Sequence, residues 1–235
     1  MSDERDLDRG LTAAEPTLHA MTYRTIAVVG TSLAGLRAAE TLRSEGFDGR
    51  ILMVGAEERL PYDRPPLSKE VLAGSRDPST IELNDAARYE KLAFEWQRGR
   101  TATALDAADR VLHLDDGQEV AFDGLIIATG ATPRQLPNAG GVVGVHTLRT
   151  LDDCLAIRDQ LDASPRVAVV GAGFIGLEVA ATCRRRGLEV TVVEALPVPL
   201  APVLGVEMGS VLEGLHRDQG VDVRCGVGVE GFEGG

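Results

Sequence analysis

Two short patterns, Gly30-Thr31-Ser32-Leu33-Ala34-Gly35 and Gly171-Ala172-Gly173-Phe174-Ile175-Gly176, have the composition and spacing that hold a diphosphate. In such a turn the first small residue makes the tight bend and the second lets the backbone approach the phosphates. The third lets the following helix pack close to the preceding strand. The helix N-terminus then offers unpaired amides and the positive end of its dipole to the anion. The second pattern has all three glycines, whereas Ser32, also small, takes the middle place in the first. Each follows an apolar run ending in Val-Val, precedes apolar residues at helical spacing, and leads to a second apolar run and then an acid. That context, twice over, implies two bound dinucleotides.

The acid of the second unit is Glu194, at the end of its strand, where a carboxylate can accept hydrogen bonds from the adenosine ribose. It would repel a 2′-phosphate, and no arginine follows within residues 195–200, so NAD is expected there rather than NADP. In the first unit the corresponding acid is Glu57 or Glu58, after Val54-Gly55-Ala56, and Glu57 is chosen.

The elements that must position these groups can be read along the chain. A strand at 25–29 enters the first turn, Leu33, Leu36, Ala39 and Leu42 mark a helix stopping at Gly46, and residues 51–54 form the second strand. A proline-rich loop at 61–75 follows, with a short helix from Ser68. Alternating segments at 101–105, 111–114 and 120–122, separated by Asp-Ala-Ala-Asp and Asp-Asp-Gly turns, read as antiparallel strands. The next parallel strand, 125–128, returns Ala128, Thr129 and Gly130 to the cofactor edge of the sheet. The chain leaves this unit around Pro137, Gly140 and Gly141, and 151–161 reads as a connecting helix with Asp152 and Asp153 near its start. The second unit repeats the first, with a strand at 167–170, a helix at 174–186 stopped by Gly187 and a strand at 190–193. A further helix from about Val206 to Gln219 and a strand at 221–225 complete the pattern. The fold class is therefore α/β, with two Rossmann-like dinucleotide-binding domains and a small antiparallel β insertion. Residues 1–21 read as a disordered leader, 22–147 as the first domain and 148–235 as the second.

Composition narrows the function. At 235 residues and 44% hydrophobic content the chain can bury substantial cores. A net charge of -12 argues against nucleic acid and against an anionic membrane surface, since both reward a basic face. No apolar run approaches the roughly 20 residues of a membrane span. The N-terminus is acidic and polar where a secretory signal is basic and then apolar, so a cytoplasmic location is expected. Arg184-Arg185-Arg186 reads as a solvated last helical turn that suits the helix dipole. Cys154, Cys183 and Cys225 are far apart, which suggests neither a disulfide framework nor a metal site. No pair of neighbouring thiols follows the first turn, so no redox disulfide relays electrons. His113 and His146 read as structural.

The run Pro61-Tyr62-Asp63-Arg64-Pro65-Pro66-Leu67-Ser68-Lys69 resembles the signature loop of the FAD-dependent ferredoxin–NAD reductase family. That family includes reductases of Rieske oxygenases and of bacterial P450 systems, with apoptosis-inducing factor a relative. The likeness continues through Ala128-Thr129-Gly130, Leu148-Arg149-Thr150-Leu151-Asp152-Asp153 and the stretch from Gly171 to Glu178. It implies a glutathione-reductase-like organisation, with FAD at Gly30 to Gly35 and Glu57, and NAD at Gly171 to Gly176 and Glu194. Arg64, Lys69 and Arg149 match family positions that contact FAD, and Lys69 is expected to lie near the flavin and to pair with Glu178. A cation there favours the reduced, anionic ring. The resemblance sets Phe174 between flavin and nicotinamide as gate or stacking partner, with core packing the competing reading.

The implied reaction takes hydride from NADH and passes electrons to a ferredoxin-type iron–sulfur protein. Rubredoxin, a quinone or a small oxidant as acceptor stay open, as does a redox-sensing, nucleotide-binding interaction protein. Family members are longer, so the resemblance also implies a second domain that is incomplete here. It further implies a chain that alone binds FAD poorly and turns over little, and oligomers only in a full-length form.

Overall fold

The structure, a computed structural model, describes residues 23–136, 139–163 and 166–232. The expected leader and the Pro137 part of the domain exit lie outside the described residues. In chain order the first half runs β1 (Thr25–Val29), α1 (Leu33–Ser44), β2 (Arg50–Gly55), a 3-10 turn at Pro65–Ser68 and α2 (Glu70–Ala73). A second 3-10 turn at Pro78–Ile81, α3 (Ala86–Leu92) and β3 (Glu95–Arg98) come next. Strands β4 (Ala102–Asp106), β5 (Val111–Leu114), β6 (Glu119–Ala121) and β7 (Gly124–Ile127) complete this half. The second half comprises α4 (Leu151–Leu161), β8 (Arg166–Val170), α5 (Phe174–Arg185), β9 (Glu189–Glu194), α6 (Ala201–Asp218) and β10 (Asp222–Cys225).

Strands β3-β2-β1-β7 form a parallel sheet in that order, and β10-β9-β8 form a second. The antiparallel sheet β4-β5-β6 is the insertion. The expected α/β class with two dinucleotide-type units and a β insertion is borne out. Ile26 and Val28 face a cluster built from Leu36 and Ala39 of α1 with Tyr89, Leu92 and Phe94. Val29, Leu52 and Val54 face the other way, into Leu112, Leu114 and Val120 of the insertion. A strand covered on both faces reads as an unbroken apolar run, which is why Ile26–Val29 shows no alternation.

Beyond the expected elements, the structure has α3 and β3. Strand β3 is Glu-Trp-Gln-Arg, without an apolar alternation, and is anchored by Trp96, whose ring meets Tyr89 and Phe94 edge-on at 5.5 and 5.9 Å. The arginine run also differs from expectation. Arg184 donates to the Leu188 and Gln219 carbonyls, and Arg186 donates to the Leu72 carbonyl and pairs with Asp162. These side chains tie α5 to its neighbours because the helix end faces the chain's own carbonyls, and only Arg185 is exposed.

The proline-rich loop packs on the second unit. Tyr62, Leu67, Val71, Leu72 and Ile81 share one core cluster with Leu151 and Cys154 of α4, Leu177 and Cys183 of α5 and Val190 and Val192 of β9. The segment after the first sheet's second strand thus delivers its side chains to the helix that follows the second glycine turn.

Candidate functional site

The two glycine turns have the same geometry. Gly30 and Gly171 take φ of 102° and 98°, a left-handed conformation that a side chain disfavours. Their amides donate to the Val54 and Val193 carbonyls at 2.8 Å in both cases. A Cβ at Gly35 would collide with the Gly30 carbonyl oxygen, and one at Gly176 with that of Gly171, so α1 and α5 cross their strands at a separation only glycine allows. A Cβ at Gly173 would meet nothing within 4 Å, which leaves the backbone there open to approach.

Both helix N-termini are without a side-chain cap among the described residues, and neither α1 nor α5 has an acid in its first turn. Ser32 is the N-cap of α1, yet its hydroxyl accepts from Arg64 Nε at 3.2 Å and does not cap the helix. By contrast α3 is capped by Asp85, and α4 carries a full capping box from Thr150 and Asp153. Helices that satisfy their own first amides have no use for an anion. These two keep theirs available, so the residues present fit two diphosphates.

The loop with Lys69 reaches α5. Lys69 Nζ lies 2.7 Å from Glu178 Oε2, and both side chains are about one-third exposed, at 35% and 36%. Ser68 Oγ donates to the same oxygen at 2.5 Å. Burial works to raise the Glu178 carboxyl, but the hydrogen bonds from Lys69 and Ser68 and the lysine charge outweigh it and hold the group below its ordinary value.

Around the first turn, Arg64 places Nη2 2.6 Å from Glu57 Oε1, and Nη1 donates to the Arg149 carbonyl at 2.7 Å and to the Tyr62 hydroxyl at 3.1 Å. Tyr62 itself donates to Glu57 and accepts from the Leu151 amide at 2.9 Å. Ala128 pairs with Val29 at 2.7 Å, its carbonyl lies beside Gly30, and Gly130 lies beside the Arg149 guanidinium. Gly30, Ser32, Arg64, Ala128, Thr129, Gly130 and Arg149 are thus brought to one edge of the first sheet.

The two acids are not equivalent. Strand register pairs Val29 with Val54 and Val170 with Val193, so the counterpart of Glu194 in the first unit is Gly55. Glu194 accepts from the Ala172 amide at 2.7 Å and from the Leu196 amide at 2.9 Å, which fixes it against the second turn. A side chain at Gly55 would collide with Thr31, which occupies that space in the first unit. Glu57 lies two residues further on, with one oxygen taken by Arg64 and the other by Tyr62. Each oxygen keeps a second lone-pair direction for another donor. Phe174 and Ile175 are 55% and 52% exposed beside the second turn, so neither is a core residue among the described residues.

A family model for pyridine nucleotide-disulphide oxidoreductases matches residues 24–235. The chain belongs to that family. The ferredoxin–NAD(+) reductase subunit of the benzene 1,2-dioxygenase system of Pseudomonas putida is 42% identical over 210 residues, covering 89% of this chain and 51% of that protein. Putidaredoxin reductase of Pseudomonas putida is 39% identical over 212 residues, covering 88% and 50%. The crystal structure of a covalent putidaredoxin reductase–putidaredoxin complex superposes with a TM-score of 0.85 at 39% identity, over 89% of this chain and 51% of that one. The chain spans about half the length of the curated relatives it matches. FAD and NAD(H) are the cofactors of the ferredoxin–NAD(+) reductases in this family.

Tyr62 and Ser68 belong to the loop that carries the resemblance, but their contacts, and the part Thr182 plays, arise only when that loop meets α4 and α5. Among the described residues no cluster of His, Cys, Asp and Glu could hold a metal ion. No described helix is long and apolar enough to cross a membrane.

Proposed function

We propose that this chain is the nucleotide-binding part of an NADH-dependent flavoprotein reductase that serves a ferredoxin-type iron–sulfur protein. In this reading residues 22–147 hold FAD and residues 148–235 hold NAD. The observation that carries it is the Lys69–Glu178 ion pair, which joins the loop of one unit to the helix of the other, each unit having an uncapped helix N-terminus at its glycine turn. Bound FAD would supply the chemistry, accepting an electron pair from the nicotinamide and releasing electrons singly.

The protein's own groups bind and orient. The amides of residues 33–35 and 174–176 would hold the two diphosphates, Arg64 and Arg149 would add positive charge at the first turn, and Glu57 and Glu194 would accept ribose hydroxyls. Lys69 would supply positive charge to the flavin, with Glu178 keeping that lysine in place. Phe174, exposed beside the second turn, would serve as gate or stacking partner for the nicotinamide. A cytoplasmic location belongs to the same reading.

Stopped-flow bleaching of flavin bound to a full-length protein that contains this chain tests it. NADH is expected to reduce the flavin in one fast phase and NADPH far more slowly. Equal rates would remove the NAD assignment, and no reduction by either would remove the reading as a whole.

A further inference from the structure

Ser68 and Thr182 lie beside the Lys69–Glu178 pair without being part of it. Ser68 is 5% exposed and Thr182 is fully buried, so neither is a solvated hydroxyl. Thr182 stands one helical turn beyond Glu178 on the same face of α5, and its Oγ1 donates to the Ser68 carbonyl at 2.8 Å. Arg185 donates to that Oγ1 at 3.2 Å, which leaves the threonine proton for Ser68. Ser68 Oγ in turn donates to Glu178 Oε2. Helix α5 therefore holds Ser68 at both ends, by its hydroxyl through Glu178 and by its carbonyl through Thr182. From α4, Cys154 donates to the Leu67 carbonyl at 3.1 Å and fixes the residue before.

This bracing acts at a break in the chain. Lys69 has φ −123° and ψ −110°, neither helical nor extended, between the 3-10 turn and the four-residue α2. Such a residue holds its conformation only when its surroundings impose it. A buried threonine used only to fill space could be valine, whereas a hydroxyl aimed at one carbonyl fixes a backbone position. Lys69 also donates to the Pro65 carbonyl at 3.2 Å, so the lysine head has a second partner and needs a fixed stem to remain on Glu178.

We propose that Ser68 and Thr182 are positioning residues, a clamp from α5 that sets Lys69 against Glu178 and so fixes the charge pair between the two nucleotide sites. The inference rests on the proposed reading of that pair.

The test uses the FAD-loaded full-length protein with Thr182→Val, Thr182→Ser, Ser68→Ala and Glu178→Gln. The Glu178 carboxyl is followed by 13C NMR through a pH titration of glutamate-labelled protein, with its signal assigned from Glu178→Gln. Lys69 is the charged group acting on that carboxyl, and the Thr182 hydroxyl bonds neither of them. A response to Thr182→Val travels through Ser68 or through Arg185, whose bond to Oγ1 the valine also removes, and Arg185→Gln, which leaves the Thr182–Ser68 bond in place, is expected to keep the wild-type titration. The expected result is a rise of the Glu178 pKa toward its ordinary value in Thr182→Val and Ser68→Ala, with Thr182→Ser restoring it. Flavin reduction by NADH is expected to fall about tenfold in kcat with KM changed less than about twofold, the pattern of lost orientation rather than lost binding. Should Thr182→Val fail to fold, Thr182→Ala carries the same comparison, since Ser68→Ala reads only the direct bond to Glu178. Variants that melt earlier but keep the wild-type titration and rate would overturn the clamp. A shifted titration in a protein that NADH never reduces would leave the clamp standing and defeat the functional reading instead.

Discussion

The Glu194 carboxylate has a structural task beside its proposed ribose contact. Its oxygens accept from the Ala172 and Leu196 amides, which fixes it at the second turn and leaves lone pairs free for a further donor. Removing it in Glu194→Ala should weaken NADH binding by about tenfold to a hundredfold, the range of a lost charge-assisted hydrogen bond. The preference over NADPH should narrow at the same time, because the repulsion of a 2′-phosphate goes too. Fluorescence titration with both nucleotides checks this, and an unchanged preference would show that specificity lies elsewhere. Glu178 gives a pH prediction of definite sign. Its carboxyl is held below the ordinary value of 4.5 in the folded chain, so its ionised form favours folding above that value. The contribution fades as pH falls through the lower, folded value. Melting temperature should drop on the acid side of about pH 4.5, and Glu178→Gln should make that drop shallower without abolishing it, since Glu40 and Glu95 are shifted the same way.

The elements that carry the site are two copies of one strand–turn–helix design, and the glycines within a turn do different jobs. Gly176→Ala would drive a methyl into the Gly171 carbonyl, so α5 must move off β8. A loss of about 3 kcal/mol is expected, at the upper end for overpacking. Gly173→Ala meets open space and should leave the melting temperature almost unchanged while weakening NADH binding, because the methyl enters the volume where a diphosphate would lie. Thermal melts paired with nucleotide titration separate the two, and equal melting temperatures would refute the distinction. These turns were legible because glycine spacing, Val-Val runs and helical periodicity all pointed the same way, and α4 was read to the residue at 151–161. Strand β3 was not legible, since its polar sequence is stabilised by Trp96 meeting Tyr89 and Phe94 from α3 and the segment after it. Helix α6 starts at Ala201, earlier than the expected Val206, and Gly205, at φ 78° and ψ 170°, interrupts it between the two positions. The meeting of Ser68, Glu178 and Thr182 was invisible for another reason: it joins residues 110 and 114 positions apart, and no local pattern encodes such a contact.

At the scale of the molecule, the loop of the first unit is a structural part of the second. Leu72 is fully buried in the cluster it shares with α4, α5 and β9, and its carbonyl accepts from Arg186 at 2.9 Å. This shared core joins the loop of the first unit to the second, so a cavity there should cost stability and, on the proposed reading, function. Leu72→Ala is expected to lower stability by about 3 kcal/mol, in the range for large-to-small core changes. It should also slow flavin reduction by NADH through displacement of the Ser68–Lys69 segment. The cysteines report on the same core. Cys154 and Cys183 are buried within it, and burial pushes the Cys154 thiol up to about 11, so at neutral pH it is neither exposed nor ionised. Cys225, at the sheet edge, is partly exposed. A thiol-reactive chromogen should therefore label Cys225 first in the native protein, with Cys154 and Cys183 reacting only as the core opens. In Leu72→Ala those two should react at least several-fold faster, as local opening becomes cheaper. If all three thiols react at one rate in both proteins, the loop is not held by this core, and the ion pair between the units would need some other support.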